Sequence, residues 1–128
     1  MRTGSEPTVF VIDSDTEVQR TLRQLMESVR LRVETYSTTQ AFIEGYDSSK
    51  AGCLILEVRM KGLSGIELFR RLRGEGNHQP VIFLTKHGDV PMAVELMREG
   101  AFHFLQKPHN DQQLLDLVHA AVAMDSRI

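Results

Sequence analysis

Three stretches of this chain are apolar almost from end to end: Thr8-Val-Phe-Val-Ile12, Gly52-Cys-Leu-Ile-Leu56 and Pro80-Val-Ile-Phe-Leu84. A strand with one wet face alternates apolar and polar residues. Short runs with no alternation read instead as strands buried on both faces, the mark of a parallel sheet covered on each side. Parallel neighbours cannot be joined by a tight turn, so such a chain must carry crossover segments between its strands. Each run ends abruptly on a polar residue: Asp13, Glu57 and Thr85. Glu57 is the hardest to explain as scaffold. A buried, unpartnered carboxylate costs several kcal/mol or gives up its charge, so Glu57 must emerge where its strand stops and meet a partner there.

The segments between the runs carry helical signals. Ser14-Asp-Thr-Glu17, Ser37-Thr-Thr-Gln40 and Ser64-Gly-Ile-Glu67 each fit a capping box, with the first serine as N-cap. The first predicted helix places Val18, Leu22, Leu25, Met26 and Val29 on one stripe. The third carries Leu68, Phe69 and Leu72 and stops at Gly74 or Gly76. Asp89 caps a helix that tolerates Pro91 in its first turn and ends at Gly100. Asn110 caps a last helix with Leu114, Leu117, Val118, Ala121 and Val122 inward. Arg32-Val-Glu-Thr-Tyr36 alternates and reads as an edge strand; Ala101-Phe-His-Phe-Leu105 reads as the last strand, ending at Lys107-Pro108.

Strand and helix thus alternate five times. That order implies a parallel sheet with right-handed crossovers and helices on both faces. Ligands of such sheets bind beyond the carboxyl ends of the strands. The residues at those ends are Asp13, Glu57, Thr85 and Lys107, so two acids, a hydroxyl and an amine converge on one crevice.

Composition narrows the function classes. At net charge −2 the 128 residues are not basic enough to grip nucleic acid by themselves. The single cysteine, Cys53, provides no disulfide framework, which points to a reducing cytoplasm, and its place in mid-strand reads as a buried apolar side chain. No apolar run approaches the roughly 20 residues of a membrane span. The five histidines, 78, 87, 103, 109 and 119, show no metal-ligand spacing. Arg70, Arg71 and Arg73 near a helix C-terminus read as a solvated face.

The constellation resembles the receiver domain of two-component response regulators over residues 8 to 123. The matching landmarks are the strand-end acids at 13 and 57, the glycine and Ser64-Gly65 of the loop after the second of them, Thr85, and Lys107-Pro108. The run HGDVPMAV at 87–94 is similar to the FixJ-type subgroup, whose members usually carry a LuxR-type helix-turn-helix domain after the receiver. No such domain is expected within these residues: 1–7 read as a tail, 8–124 as the receiver, and 125–128 as the start of a linker or a C-terminal tail. The chain therefore reads as a piece of a longer regulator or as a stand-alone receiver.

The resemblance implies a flavodoxin-like (CheY-like) doubly wound α/β fold, with a five-stranded parallel sheet in the order 2-1-3-4-5. It implies Glu57 at the phosphoacceptor position and Asp13 and Ser14 in the acidic pocket. Thr85, Phe104 and Lys107 take the phosphoryl-binding and switch positions, with Arg59, Lys86 and Pro108 on the rim. It also implies a Mg²⁺ set of Asp13, Glu57 and the Arg59 backbone carbonyl, and a cis bond before Pro108. Five residues depart from the family pattern: Glu57 for the phosphorylated aspartate, Ser14 for a second acid, Lys86 for a small residue, Lys61 for a loop proline and His109 for a phenylalanine. These departures gather around one site.

They point to an atypical receiver, not an enzyme, that signals by protein contacts and binds Mg²⁺ weakly or not at all, with Lys86 placed to take the cation's position. The expected partners are a histidine kinase or another signalling protein and a second copy of the chain, the latter through Val90, Met97, Phe102 and His103. DNA would be reached only through an output domain not present here, and no membrane is involved. Two other readings stand beside it: a conventional phospho-accepting receiver, and a small nucleotide- or flavin-binding protein on the same fold. Against the last, no glycine-rich phosphate loop follows the first strand.

Overall fold

The structure, a computed structural model, describes residues 6–125. The tail expected over 1–7 and the linker expected from 125 fall mostly outside that range. Among the described residues the elements run β1 (Thr8–Ile12), α1 (Thr16–Ser28), β2 (Arg32–Tyr36), α2 (Thr39–Gly45), β3 (Gly52–Leu56), α3 (Gly65–Gly74), β4 (Val81–Thr85), α4 (Val90–Arg98), β5 (His103–Gln106) and α5 (Asp111–Met124). The strands form one parallel sheet, as the alternation implies, in the order β2-β1-β3-β4-β5 that the resemblance implies.

Period-two alternation of the strand side chains splits the core into two layers. Val9 and Val11, Cys53 and Ile55, and Ile82 and Leu84 meet Leu22 and Met26 of α1 and Leu114, Val118 and Ala121 of α5. Phe10 and Ile12, Leu54 and Leu56, and Val81 and Phe83 meet Phe42 of α2, Leu68 and Phe69 of α3 and Leu96 of α4. Both faces of β1, β3 and β4 are buried, which is why these strands carry no polar alternation. Each fully buried Leu, Ile or Phe stabilises the fold by roughly 1.5–3 kcal/mol. β2 at the edge keeps every residue at least partly exposed.

Two helix starts differ from the sequence reading. The N-cap of α1 is Asp15, whose carboxylate accepts from the N–H groups of Glu17 at 2.9 Å and Val18 at 3.4 Å. Ser14 is exposed and does not cap. The chain stays extended one residue further than expected, because Asp13 N–H still pairs with the Tyr36 carbonyl at 3.0 Å. The N-cap of α2 is Thr38, accepting from Ala41 N–H at 2.9 Å. Ser37 is engaged elsewhere: its hydroxyl accepts from Gln19 Nε2 at 3.0 Å. The capping box at Ser64 and Glu67 forms in full, and Asp89 and Asn110 cap α4 and α5 as expected.

Arg73 is not the solvated charge that its neighbours suggest. Its guanidinium donates to the carbonyls of Asn77 and Gln79 at 3.0 Å each and of Gly100 at 3.3 Å, and lies 4.7 Å from the centre of the Phe69 ring. Arg70 forms a two-pronged ion pair with Glu99 at 2.8 and 2.7 Å. Together they tie the end of α3 to the end of α4.

Candidate functional site

Ile12 and Leu56 are register partners on neighbouring strands, and the Glu57 N–H donates to the Ile12 carbonyl at 3.0 Å. The next residues along, Asp13 and Glu57, are therefore brought side by side at the sheet's carboxyl edge. Both are almost fully buried. Lys107 follows β5, two strands from β3. Neighbouring strands lie about 4.8 Å apart, so only a long side chain can cross the end of β4. The Lys107 ammonium does so, donating to Asp13 Oδ2 at 2.7 Å and to Glu57 Oε1 at 3.0 Å. The peptide bond that follows, Lys107–Pro108, is cis.

The remaining carboxylate oxygens are held by backbone. Asp13 Oδ1 accepts from Asp15 N–H at 2.9 Å. Glu57 Oε2 accepts from the N–H groups of Val58 at 2.6 Å and Arg59 at 3.2 Å. Burial raises the Glu57 carboxyl, but hydrogen bonds from the Thr85 hydroxyl, Lys107 and the Arg59 N–H outweigh it, and its pKa is lowered. Burial likewise acts to lower Lys107, but its hydrogen bonds to Asp13 and Glu57 win and its pKa is raised. Thr85 is fully buried, and its hydroxyl also accepts from His87 N–H at 3.0 Å.

The glycine at 65 lets the loop after β3 fold back on the site. A Cβ there would lie 1.9 Å from the Glu57 carbonyl oxygen, while the Gly65 N–H donates to the Val58 carbonyl at 2.9 Å. The start of α3 can therefore approach Glu57 only without a side chain at this position.

Other expected site residues fall differently. Lys86 is exposed and makes no hydrogen bond or ion pair among the described residues, so the cation between the acids is Lys107. Lys86 follows the strand end by one residue. Ser14, Arg59 and Pro108 are exposed, and Phe104 is half-buried, its ring centre 6.1 Å from that of Phe83. Val90 and Met97 lie exposed on α4, whereas Phe102 packs onto the α1 and α5 layer. Sequence reasoning missed Gln19, which donates to the Asp13 carbonyl at 2.6 Å, and Val94, which is 44% exposed and continues the apolar stripe of α4 between Val90 and Met97. The i, i+4, i+7 spacing of those three residues was legible, but not which face of α4 the fold would cover.

The sequence profile of the response regulator receiver domain matches residues 9–119. The chain belongs to that family. The receiver is 40% identical over 124 residues to the transcriptional regulatory protein TdiR of Thauera aromatica, a match covering 97% of this chain and 55% of TdiR. It is 42% identical over 114 residues to the transcriptional regulatory protein FixJ of Azorhizobium caulinodans, covering 89% of this chain and 54% of FixJ. Among solved structures, the response regulator StyR is similar with a TM-score of 0.88 at 41% identity, covering 94% of this chain and 61% of that one. The crystal structure of FixJ-N is similar with a TM-score of 0.82 at 31% identity, covering 97% of each chain. The receiver thus spans about half the length of the curated relatives it matches. Receiver domains are signalling domains and not catalytic ones. No helix among the described residues is long and apolar enough to cross a membrane.

Receiver domains typically bind Mg²⁺ at the phosphorylation site. The residues here suit that ion poorly. Mg²⁺ takes near-octahedral oxygen ligands and is held by one or two carboxylates with water. Both carboxylates of this site already share the Lys107 ammonium, Ser14 supplies no charge, and Asp15 is turned away to cap α1.

Proposed function

We propose that this receiver is a pseudo-receiver, in which Glu57 stands in for a phosphorylated residue. The reading is supported by one observation: the Glu57 carboxylate accepts from the Lys107 ammonium at 3.0 Å, a group that would bind a phosphoryl oxygen. Glutamate is one methylene longer than aspartate, so its charge lies further into the crevice. The same length spoils it as a nucleophile, because in-line attack needs the reacting atoms held in a near-attack geometry. With Lys107 as the resident cation, Mg²⁺ binds weakly. The domain acts in the cytoplasm through protein contacts, with a signalling kinase or other protein and with a second copy of itself. It controls transcription through an output domain carried elsewhere in a longer chain, the arrangement that the names and lengths of its relatives suggest.

Mass spectrometry after incubation with acetyl phosphate and Mg²⁺ tests the reading on three proteins. The wild type should gain no stable phosphoryl group. Glu57→Asp alone should gain little, and Glu57→Asp with Ser14→Asp measurably more, because the second acid restores a metal ligand. A phosphoryl group mapped to Glu57 of the wild type would overturn the reading in favour of a conventional receiver, which the intact Asp13, Thr85 and Lys107 otherwise favour. Equal labelling of the single and double variants would remove the metal argument.

A further inference from the structure

The pairing of β3 with β4 starts late. Leu54 is the first residue of β3 with a partner there, Val81, and its N–H donates to the Pro80 carbonyl at 2.9 Å. In a parallel strand the backbone groups of every second residue face the same neighbour. The Gly52 N–H therefore also faces the β4 side, two residues before β4 begins. Gly52 is buried, and a Cβ on it would lie 1.8 Å from the Thr8 carbonyl oxygen, so β1 presses close on its other side. A buried N–H needs a partner, and no strand supplies one here.

The partner comes from the end of α5. Asp125 Oδ2 accepts from the Gly52 N–H at 2.9 Å and from Gln79 Nε2 at 3.4 Å. Gln79 is buried in the loop before β4; its Nε2 also donates to the Lys50 carbonyl at 3.1 Å, and its Oε1 accepts from the Tyr46 hydroxyl. That hydroxyl accepts in turn from Asn77 Nδ2 at 2.9 Å. One polar network thus joins the end of α2, the start of β3, the loop before β4 and the end of α5. It lies at the amino edge of the sheet, the edge opposite Glu57.

Asp125 is also where α5 stops. Its N–H donates to the carbonyls of Ala121 at 3.1 Å and Val122 at 3.3 Å, while its own φ of −64° and ψ of 116° turn the chain out of the helix. Met124 beside it is 66% exposed and Asp125 only 7%. This helix end therefore buries its acid and leaves its apolar neighbour in water, the reverse of what transfer from water alone would choose.

We propose that Asp125 is a latch: its carboxylate takes the place of the missing strand at Gly52 and so fixes the point at which the chain leaves the receiver. The last turn of α5 and the first residue of β3 then open and close as one unit. The chain beyond 125 starts from the sheet, at the far end of the strand that leads to Glu57, and not from a free helix end. The latch stands on this packing and is independent of whether Glu57 mimics a phosphoryl group.

Amide hydrogen exchange followed by NMR tests it in the wild type, Asp125→Ala and Asp125→Asn. In the wild type the N–H groups of Gly52 and Asp125 should exchange through one opening, with equal opening free energies. Asp125→Ala should quicken exchange at both positions by about tenfold more than at Leu22 inside α1, since only the latch is lost. Asp125→Asn keeps an oxygen within the same reach and should restore most of the protection. Three results would each overturn the proposal: a Gly52 amide that stays protected while that of residue 125 exchanges freely, a quickening as large at Leu22 as at Gly52, or an asparagine variant no better protected than the alanine one. Should Asp125→Ala fail to fold, the comparison of the two amides in the wild type decides alone.

Discussion

Lys107 stands between two acids that neighbouring strands force together, so removing its ammonium leaves like charges facing one another in a buried site. Lys107→Met should cost about 3 kcal/mol in urea denaturation at neutral pH, the range for breaking a buried ion pair on one side. The pH dependence has two arms. The folded pKa of Lys107 lies above its ordinary 10.5, so its contribution is complete below 10.5 and is lost as pH rises through the raised value. The folded pKa of Glu57 lies below its ordinary 4.5, so its contribution is complete above 4.5 and is lost as pH falls through the lowered value. Stability supplied by these two groups should therefore be level between those limits. Glu57→Gln should flatten the acid arm and keep part of the alkaline arm through Asp13. Urea midpoints across the pH range check this, and an acid arm unchanged by Glu57→Gln would sink it.

At the level of elements, α1 is capped by Asp15 and not by its neighbour Ser14. Asp15→Ala should cost about 1 kcal/mol, the usual worth of an N-cap, whereas Ser14→Ala should change stability by less than about 0.5 kcal/mol. Denaturation midpoints showing Ser14 as the more costly loss would reverse the assignment. The helix itself was legible from its apolar spacing; its first residue was not. Ser14 and Asp15 are both good caps, and the choice between them was made by the Asp13–Tyr36 backbone bond, a long-range contact that no local pattern announces. The same holds at Ser37, whose hydroxyl is taken by Gln19 from another helix. The central strands were legible because burial on both faces erases alternation, and their order in the sheet followed from the family resemblance. The convergence of Asp13, Glu57, Thr85 and Lys107 was legible because each ends a strand or follows one. The pairing of Lys107 with Glu57 was legible too, but that Lys86 would stay in solvent was not, since exposure is decided in three dimensions. Arg73 was misread for a related reason: its partners are backbone carbonyls, and the sequence does not mark a carbonyl as unpaired. Arg73→Lys should cost about 1–2 kcal/mol, since an ammonium cannot span those carbonyls as a planar fork does.

For the molecule as a whole, α4 carries three of the exposed large apolar side chains, Val90, Val94 and Met97, 75%, 44% and 42% exposed, with Glu95 and Arg98 beside them. If Glu57 holds the domain in its signalling state, that face should bring two copies together with no phosphodonor present. Sedimentation should then show dimer at high micromolar concentration, and Val94→Glu should return it to monomer without altering the urea midpoint; a wild type that stays monomeric would count against self-association by this route. Cys53 offers a way to watch the same molecule in time. It is the only cysteine in the chain, lies wholly inside β3 opposite Val9, and has its thiol pushed up to about 12 by burial and by the charge of Asp125. A thiol reagent can reach it only when the sheet comes apart. The chain thus carries its own clock: at saturating reagent the trapping rate equals the rate at which the central strands part. Variants that loosen only the crevice should leave that rate unchanged, and those that weaken the core should quicken it.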